Sequence, residues 1–342
     1  RSHLPASLEQ PLENSAPQAK LGLVGSGSLI EDVRKHVDKA AKAGTDVRIW
    51  GETGTGKELV AAAIHKAGSR SSGPYVSINC GALDENLLLD ALFGHVKGAF
   101  TEAKDERKGA FLSANGGTLH LDEIANASPK VQQALLRALS VRRIRPLGSD
   151  SEVPFDTRVV AATNVDLREC VRTGSFREDL YYRLAIINIE TPPLRHRKDD
   201  IPELAAHLIR EAAPSLGRPE ARLSRGALDM ISPYDWPGNV RELKNCLTRA
   251  MAFAEGNIIL PEHIVLEHDA HRTYSKALPE GAGSERTQGE QAGRIARSFY
   301  IPEESAAQGH AGAGNDGFQV NNGNRGILRG IASVASFFIP GG

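Results

Sequence analysis

The stretch Gly51-Glu52-Thr53-Gly54-Thr55-Gly56-Lys57 decides how this chain is read. An apolar run, Val47-Arg48-Ile49-Trp50, leads into it, and Glu58-Leu59-Val60-Ala61-Ala62-Ala63-Ile64 follows with the composition of a helix. Strand, glycine-rich turn and helix in that order are the setting of a phosphate-binding loop. The glycines let the backbone curl until successive N–H groups face phosphate oxygens. The helix start contributes the positive end of its dipole, and Lys57 adds a mobile charge for the β- and γ-phosphates. Glu58 stands where serine or threonine commonly ligates magnesium, so the metal must be held from elsewhere, through water. A surface turn with an incidental lysine would fit the seven residues alone, but not their flanks.

Downstream, Gly116-Gly117-Thr118-Leu119-His120-Leu121-Asp122-Glu123 reads as an apolar strand ending in two acids. A carboxylate at such a strand end, beside a phosphate loop, organises magnesium, and the next polarises the attacking water. Asp122 is thus the expected metal-site acid and Glu123 the expected general base. A solvated acidic strand end is the plainer alternative. His120 is expected to be a core histidine with a hydrogen-bond partner. Thr163-Asn164 closes the next apolar run, where Asn164 is either a γ-phosphate sensor or an ordinary turn residue.

Two further stretches carry arginines. In Ser175-Phe176-Arg177-Glu178-Asp179-Leu180-Tyr181-Tyr182-Arg183-Leu184, Arg177 and Arg183 either reach a neighbouring subunit's ATP or pair with Glu178 and Asp179 on a surface helix. An arginine of the first kind is worth roughly 10³–10⁵ in rate in other nucleotide hydrolases. In Trp236-Pro237-Gly238-Asn239-Val240-Arg241-Glu242-Leu243, Asn239 is expected to cap a helix. Arg241 either leans onto the nucleotide or forms a surface pair with a glutamate.

The 342 residues, 24% charged and 40% hydrophobic, describe a soluble globular chain of one large or two ordinary domains. The net charge of -1 gives no whole-protein reason for nucleic-acid binding. Cys80, Cys170 and Cys246 lack metal-type spacing, so core thiols and a reducing cytoplasm are expected. Neither a signal peptide nor a spanning helix is present, so no membrane association is expected. The chain starts at Arg1 rather than methionine, and a preceding part of the protein is expected.

Residues 1–21 have linker composition. Ser28-Leu29-Ile30-Glu31 fits a capping box, with Ile30, Val33, Val37 and Ala41 at helical spacing behind it. Strands are expected at Tyr75–Asn79, Thr118–Asp122, Arg158–Asn164 and Leu184–Ile189. Alternating with helical patterns, they predict an α/β fold with a doubly wound parallel sheet over residues 22–193. Residues 194–265 read as a small all-helical domain. From 266 to 342 the composition is of low complexity and predicts no stable packing. The apolar Ile327–Ile339 segment carries Arg329, is too short to span a bilayer, and reads as a docking helix or a functionless end.

Together these motifs resemble the AAA+ ATPase domain of bacterial enhancer-binding proteins, the transcription activators of sigma-54 RNA polymerase. The resemblance runs from about Leu23 to Ile264. Gly51, Glu52, Thr53, Gly54, Thr55, Gly56, Lys57 and Glu58 are similar to the family's Walker A motif, in which the Glu after Lys is usual. Gly116–Glu123 resembles Walker B, and Asn79 matches the residue that restrains the catalytic glutamate. Phe176-Arg177 and Arg183 resemble the trans-acting arginine pair, Asn164 sensor I and Arg241 sensor II. The family's sigma-contacting loop reads Gly-Ala-Phe-Thr-Gly-Ala, and Gly98-Ala99-Phe100-Thr101-Glu102-Ala103 departs from it at Glu102. The resemblance implies a P-loop AAA+ fold with a helical lid, ATP and Mg²⁺, a hexameric ring with ATP between subunits, and sigma-54 polymerase as partner. Such activators usually end in a helix-turn-helix, of which residues 266–342 show no pattern, so DNA binding stays open. Competing readings are an ATP-binding regulator that no longer drives sigma-54, and an AAA+ remodeller of another protein.

Overall fold

A computed structural model of the protein describes residues 21–101 and 103–266. The expected linker before residue 21, Glu102, and the tail after Leu266 with its Ile327–Ile339 segment lie outside these residues. The sheet is built from β1 (Val47–Trp50), β2 (Tyr75–Asn79), β3 (Thr118–Asp122), β4 (Arg158–Thr163) and β5 (Ile187–Glu190). All neighbours are parallel, in the order β2-β3-β4-β1-β5. Parallel strands need crossovers, and helices supply them on both faces. Successive β4 residues therefore point to opposite cores. Val159 and Ala161 pack with Leu119, Leu121 and Leu135, whereas Val160 and Ala162 pack with Val47, Ile49, Val37 and Ile64.

Helix α1 (Ser28–Ala43) turns Ile30, Val33, Val37, Ala40 and Ala41 inward and stops at Gly44, whose φ of 67° suits a residue without a Cβ. The expected capping box is absent. Gly27 is the cap residue, and Asp200 takes over the role by accepting the Ser26 and Gly27 N–H groups at 2.9 and 2.8 Å. Glu31 instead accepts from Arg34 at 2.9 Å. A carboxylate from far along the chain has displaced the local one.

Helix α2 (Lys57–Ala67) follows the phosphate loop, α3 (Glu85–Phe93) follows β2, and α4 (Pro129–Val141) follows β3. The apolar run expected as a strand from Leu184 is divided. Leu184 ends helix α5 (Glu178–Leu184), and only Ile187 onward joins the sheet. Leu184 is buried in the core while Ile186 is half exposed, a break that a short apolar run cannot announce.

His120 is fully buried, its Nδ1 3.0 Å from Ser77 Oγ, as a core histidine should be. Cys80 and Cys246 are buried thiols, whereas Cys170 is only partly buried, and burial pushes the Cys80 thiol up to about 12. Beyond β5, α6 (Ile201–Ala212), α7 (Arg225–Ile231) and α8 (Asn239–Phe253) enclose a separate core of Leu204, Leu208, Ile231, Leu243 and Leu247 around Trp236. The Trp236 indole N–H donates to the Ile231 carbonyl at 3.0 Å, so its burial leaves no donor unpaired. Among the described residues no helix is long and apolar enough to cross a membrane.

Candidate functional site

Strand register gathers the polar ends. Asn79 lies opposite Asp122 on β2 and β3, and Trp50, from which the phosphate loop departs, lies opposite Thr163. This C-terminal edge of a parallel sheet is where ligands bind in open α/β folds. The loop leaves β1 with the Gly51 N–H donating to the Thr163 carbonyl at 3.3 Å. Gly54 and Gly56 take φ of 80° and 96°, which bend the backbone around the space ahead of α2.

Lys57 opens α2, and its ammonium donates to the Gly51 and Glu52 carbonyls at 2.9 and 3.0 Å. Burial lowers the Lys57 pKa, and the carboxylates of Asp122 and Glu123 work against that shift. The lysine is thus folded onto its own loop with both acids within electrostatic reach. Asn164 Nδ2 donates to Thr53 Oγ1 at 3.2 Å, which places the β4 terminus against the loop.

Asp122 Oδ1 accepts the Glu123 N–H at 2.9 Å. Glu123 holds φ at 51°, a left-handed conformation that costs a residue with a Cβ about 1 kcal/mol or more. Its Oε2 accepts from Asn126 Nδ2 at 3.2 Å. Asn79, which the resemblance casts as the restraint on this glutamate, instead accepts the Gly81 N–H at 2.7 Å. A Cβ on Gly81 would stand 2.5 Å from Glu123 Oε2, so glycine makes room for the carboxylate. Among the described residues no cluster of three or more acid, histidine or cysteine side chains forms a metal cage. Two hard carboxylates at a phosphate loop suit magnesium, which binds through one or two carboxylates, water and substrate phosphates.

The helical part is stitched to the loop. The Val240 N–H donates to the Gly54 carbonyl at 3.0 Å, and a Cβ on Gly54 would lie 3.1 Å from Arg241 Cβ. Arg241 is exposed beside the loop and makes no ion pair among the described residues. Asn239 is not the helix cap the sequence led us to expect. Gly238 holds that place, its N–H donating to Glu242 Oε2 at 2.7 Å, and Asn239 is fully buried with φ at 53°. The Asn239 carboxamide accepts the Leu194 N–H at 2.7 Å and donates to the Thr53 carbonyl at 3.0 Å and Glu52 Oε2 at 3.2 Å.

Sequence reasoning also missed Arg195, which grips Glu52 through two bonds of 2.7 and 2.6 Å. The Arg195 hydrogen bond, with help from Asn239, holds the Glu52 carboxyl down to about 2. Thr191 Oγ1 lies 2.7 Å from Thr55 Oγ1. No local pattern marks either residue. Beside the loop, Leu23, Val24, Ile30, Leu204, Leu208 and Val240 line an apolar hollow between sheet and helical part.

Arg177 lies at the entrance to α5 and forms a two-bond pair with Asp179 at 3.0 and 2.8 Å, both side chains about half exposed. Arg183 donates to the Leu139 carbonyl at 2.7 Å and pairs with neither acid of its helix among the described residues. In the loop Gly98–Ala103, the Gly98 N–H donates to the Ala103 carbonyl at 2.8 Å and Phe100 is half exposed.

Residues 23–190 match the family model of the sigma-54 interaction domain, and residues 195–280 that of the AAA+ ATPase lid domain. The transcriptional regulatory protein ZraR of Salmonella typhimurium is 44% identical over 252 residues, covering 74% of this chain and 57% of that protein. The Nif-specific regulatory protein of Klebsiella pneumoniae is 46% identical over 246 residues, covering 72% and 47%. The chain therefore spans about half the length of the curated relatives it matches. Among solved structures, NtrX from Brucella abortus in complex with ATP aligns with a TM-score of 0.67 at 28% identity, over 81% of this chain and 59% of that one. NtrX in complex with ADP aligns at 0.65 and 29%, over 76% and 60%.

Proposed function

We propose, since the chain belongs to the sigma-54 interaction domain family of AAA+ ATPases, that it hydrolyses ATP and uses the cycle to remodel sigma-54 RNA polymerase. The observation that carries this reading is a glycine-rich loop that leaves β1 at the C-terminal edge of the parallel sheet, where β3 ends in Asp122, and that is bonded directly to the lid. The loop N–H groups and Lys57 hold the phosphates, and the apolar hollow takes the adenine. Asp122 would hold magnesium, which would neutralise phosphate charge. Glu123 takes the proton from the attacking water, Asn164 senses the γ-phosphate, and Arg241 closes from the lid. ZraR and the Nif-specific regulator carry regulatory names, and NtrX has been solved with both ATP and ADP, which supports the nucleotide and the regulatory role.

Arg177, with Arg183 behind it, serves the ATP of a neighbouring copy in a hexameric ring. Reaching across requires Arg177 to leave Asp179, an exposed pair whose loss costs little. The nucleotide state moves Asn79 and Glu123, and through them the Gly98–Ala103 loop that meets sigma-54. One sequence feature favours a second reading, in which the ATPase acts without engaging sigma-54. Glu102 puts a carboxylate where the family's loop has glycine. Phosphate release by the purified chain, abolished in Glu123→Gln, tests the enzymatic half, and retention on immobilised sigma-54 tests the other.

A further inference from the structure

The loop Gly98–Ala103 stands on a short stem in which Gly94 and His95 pair with Lys108 and Arg107. His95 does more than pair. Its Nδ1 lies 2.6 Å from Asp90 Oδ1 on α3, and its Nε2 lies 2.9 Å from the Asp105 carbonyl on the returning leg. The Asp90 carboxylate can only accept, so the ring donates to it through Nδ1, while Nε2 faces the Asp105 carbonyl. The Phe100 ring stands edge-on to the same imidazole, centroids 4.9 Å apart. One side chain thus touches the helix behind the loop, the leg leaving the loop and the aromatic residue at its tip.

Asp90 is a firm anchor. It is 7% exposed, and Arg107 donates to its second oxygen at 2.6 Å. Burial pushes its carboxyl up, but the bonds from His95 and Arg107 outweigh this and hold it below the usual range. Helix α3 is itself joined to the nucleotide edge, because Glu85 in its first turn accepts from Ser128 at 2.6 Å at the start of α4. A small rotation of α3 would therefore reach Asp90 directly.

We propose that His95 is a positioning residue for the contact loop: tied to Asp90, it parks Phe100 against the body and releases it when α3 shifts with the nucleotide. The idea uses the proposed role of Gly98–Ala103 for its consequence, whereas its main test does not involve sigma-54. Amide hydrogen exchange is followed in the full chain for peptides spanning residues 96–104, with and without a non-hydrolysable ATP analogue. His95→Ala should raise exchange there about tenfold, the order expected when a charge-assisted bond ceases to restrain local opening. Exchange in α4 and ATP turnover should stay at wild-type level.

His95→Phe keeps an aromatic ring against Phe100 but offers no donor, and it decides the matter should the alanine variant fail to fold. Its exchange should be as high as that of His95→Ala, and the analogue should no longer change it, whereas in wild type the analogue should raise exchange. Loop exchange within about twofold of wild type in both variants would overturn the proposal, as would an analogue response that survives in His95→Phe. If wild type is not retained by sigma-54 in parallel assays, the functional reading fails, while the exchange data still decide the role of His95.

Discussion

The carboxamide of Asn239, the first residue of α8, donates to the main-chain oxygen of Thr53 in the phosphate loop at 3.0 Å. With the Leu194 N–H bonded to its oxygen, this one side chain ties the lid, the hinge and the loop. Replacing it with alanine leaves the buried Leu194 N–H without its partner and removes the part-buried bond to the Thr53 carbonyl. Asn239→Ala should cost about 1–3 kcal/mol of stability and weaken ATP binding, because the loop loses its brace. Chemical denaturation and nucleotide titration check this, and an unchanged variant would show that the tie does not matter.

Glu52 adds a pH-dependent tie to the same joint. Its folded pKa, about 2, lies below the ordinary 4.5 because of Arg195 and Asn239. The folded state therefore favours the ionised form, and this contribution is complete above pH 4.5 and lost as pH falls through about 2. The pair is partly exposed, so at neutral pH it is worth about 1 kcal/mol at most. The gap in melting temperature between wild type and Glu52→Gln should be constant above pH 5 and close below 4.5 in low salt.

Lys57→Ala should lose nucleotide binding, since it removes the cation proposed to leave the Gly51 and Glu52 carbonyls for the β- and γ-phosphates. Glu123→Gln should keep binding and lose turnover, because an amide cannot accept the proton of water. Equilibrium titration beside phosphate release separates the two. Equal loss of affinity in both variants would contradict the assigned roles.

Arg177→Ala should bind ATP but hydrolyse it poorly. If the arginine acts between subunits, mixing it with Glu123→Gln should recover part of the activity, because some interfaces then join an intact Glu123 to an intact Arg177. No recovery at any ratio would leave the pair with Asp179 as the whole of its role.

Much of the architecture was legible because its signals are local. The loop with its flanking strand and helix, the acids ending β3, and the polar end of β4 are each contained in a few consecutive residues. What escaped was made at a distance. Arg195 meets Glu52 and Thr191 meets Thr55 only once β5 lies beside β1. Asp200 displaced the capping box of α1 because the helical part folds back onto Gly27. Asn239 looked like a cap because its type and place allow it, but a left-handed backbone turns its side chain to the phosphate loop. The run from Leu184 to Ile189 divided between helix and strand because Leu184 found a core before the sheet began.

The central claim is that the chain hydrolyses ATP and acts with it on sigma-54, and Glu102 is where the sequence bears on it. A carboxylate beside Phe100 costs several kcal/mol if a partner buries it unpaired. The most direct measurement is complex formation between the chain and purified sigma-54 in the presence of a transition-state analogue of ATP. The account predicts a weak complex that needs the analogue, disappears in Lys57→Ala and strengthens in Glu102→Gly with ATP turnover unchanged. A chain that turns over ATP yet forms no complex, either as wild type or as Glu102→Gly, would contradict it.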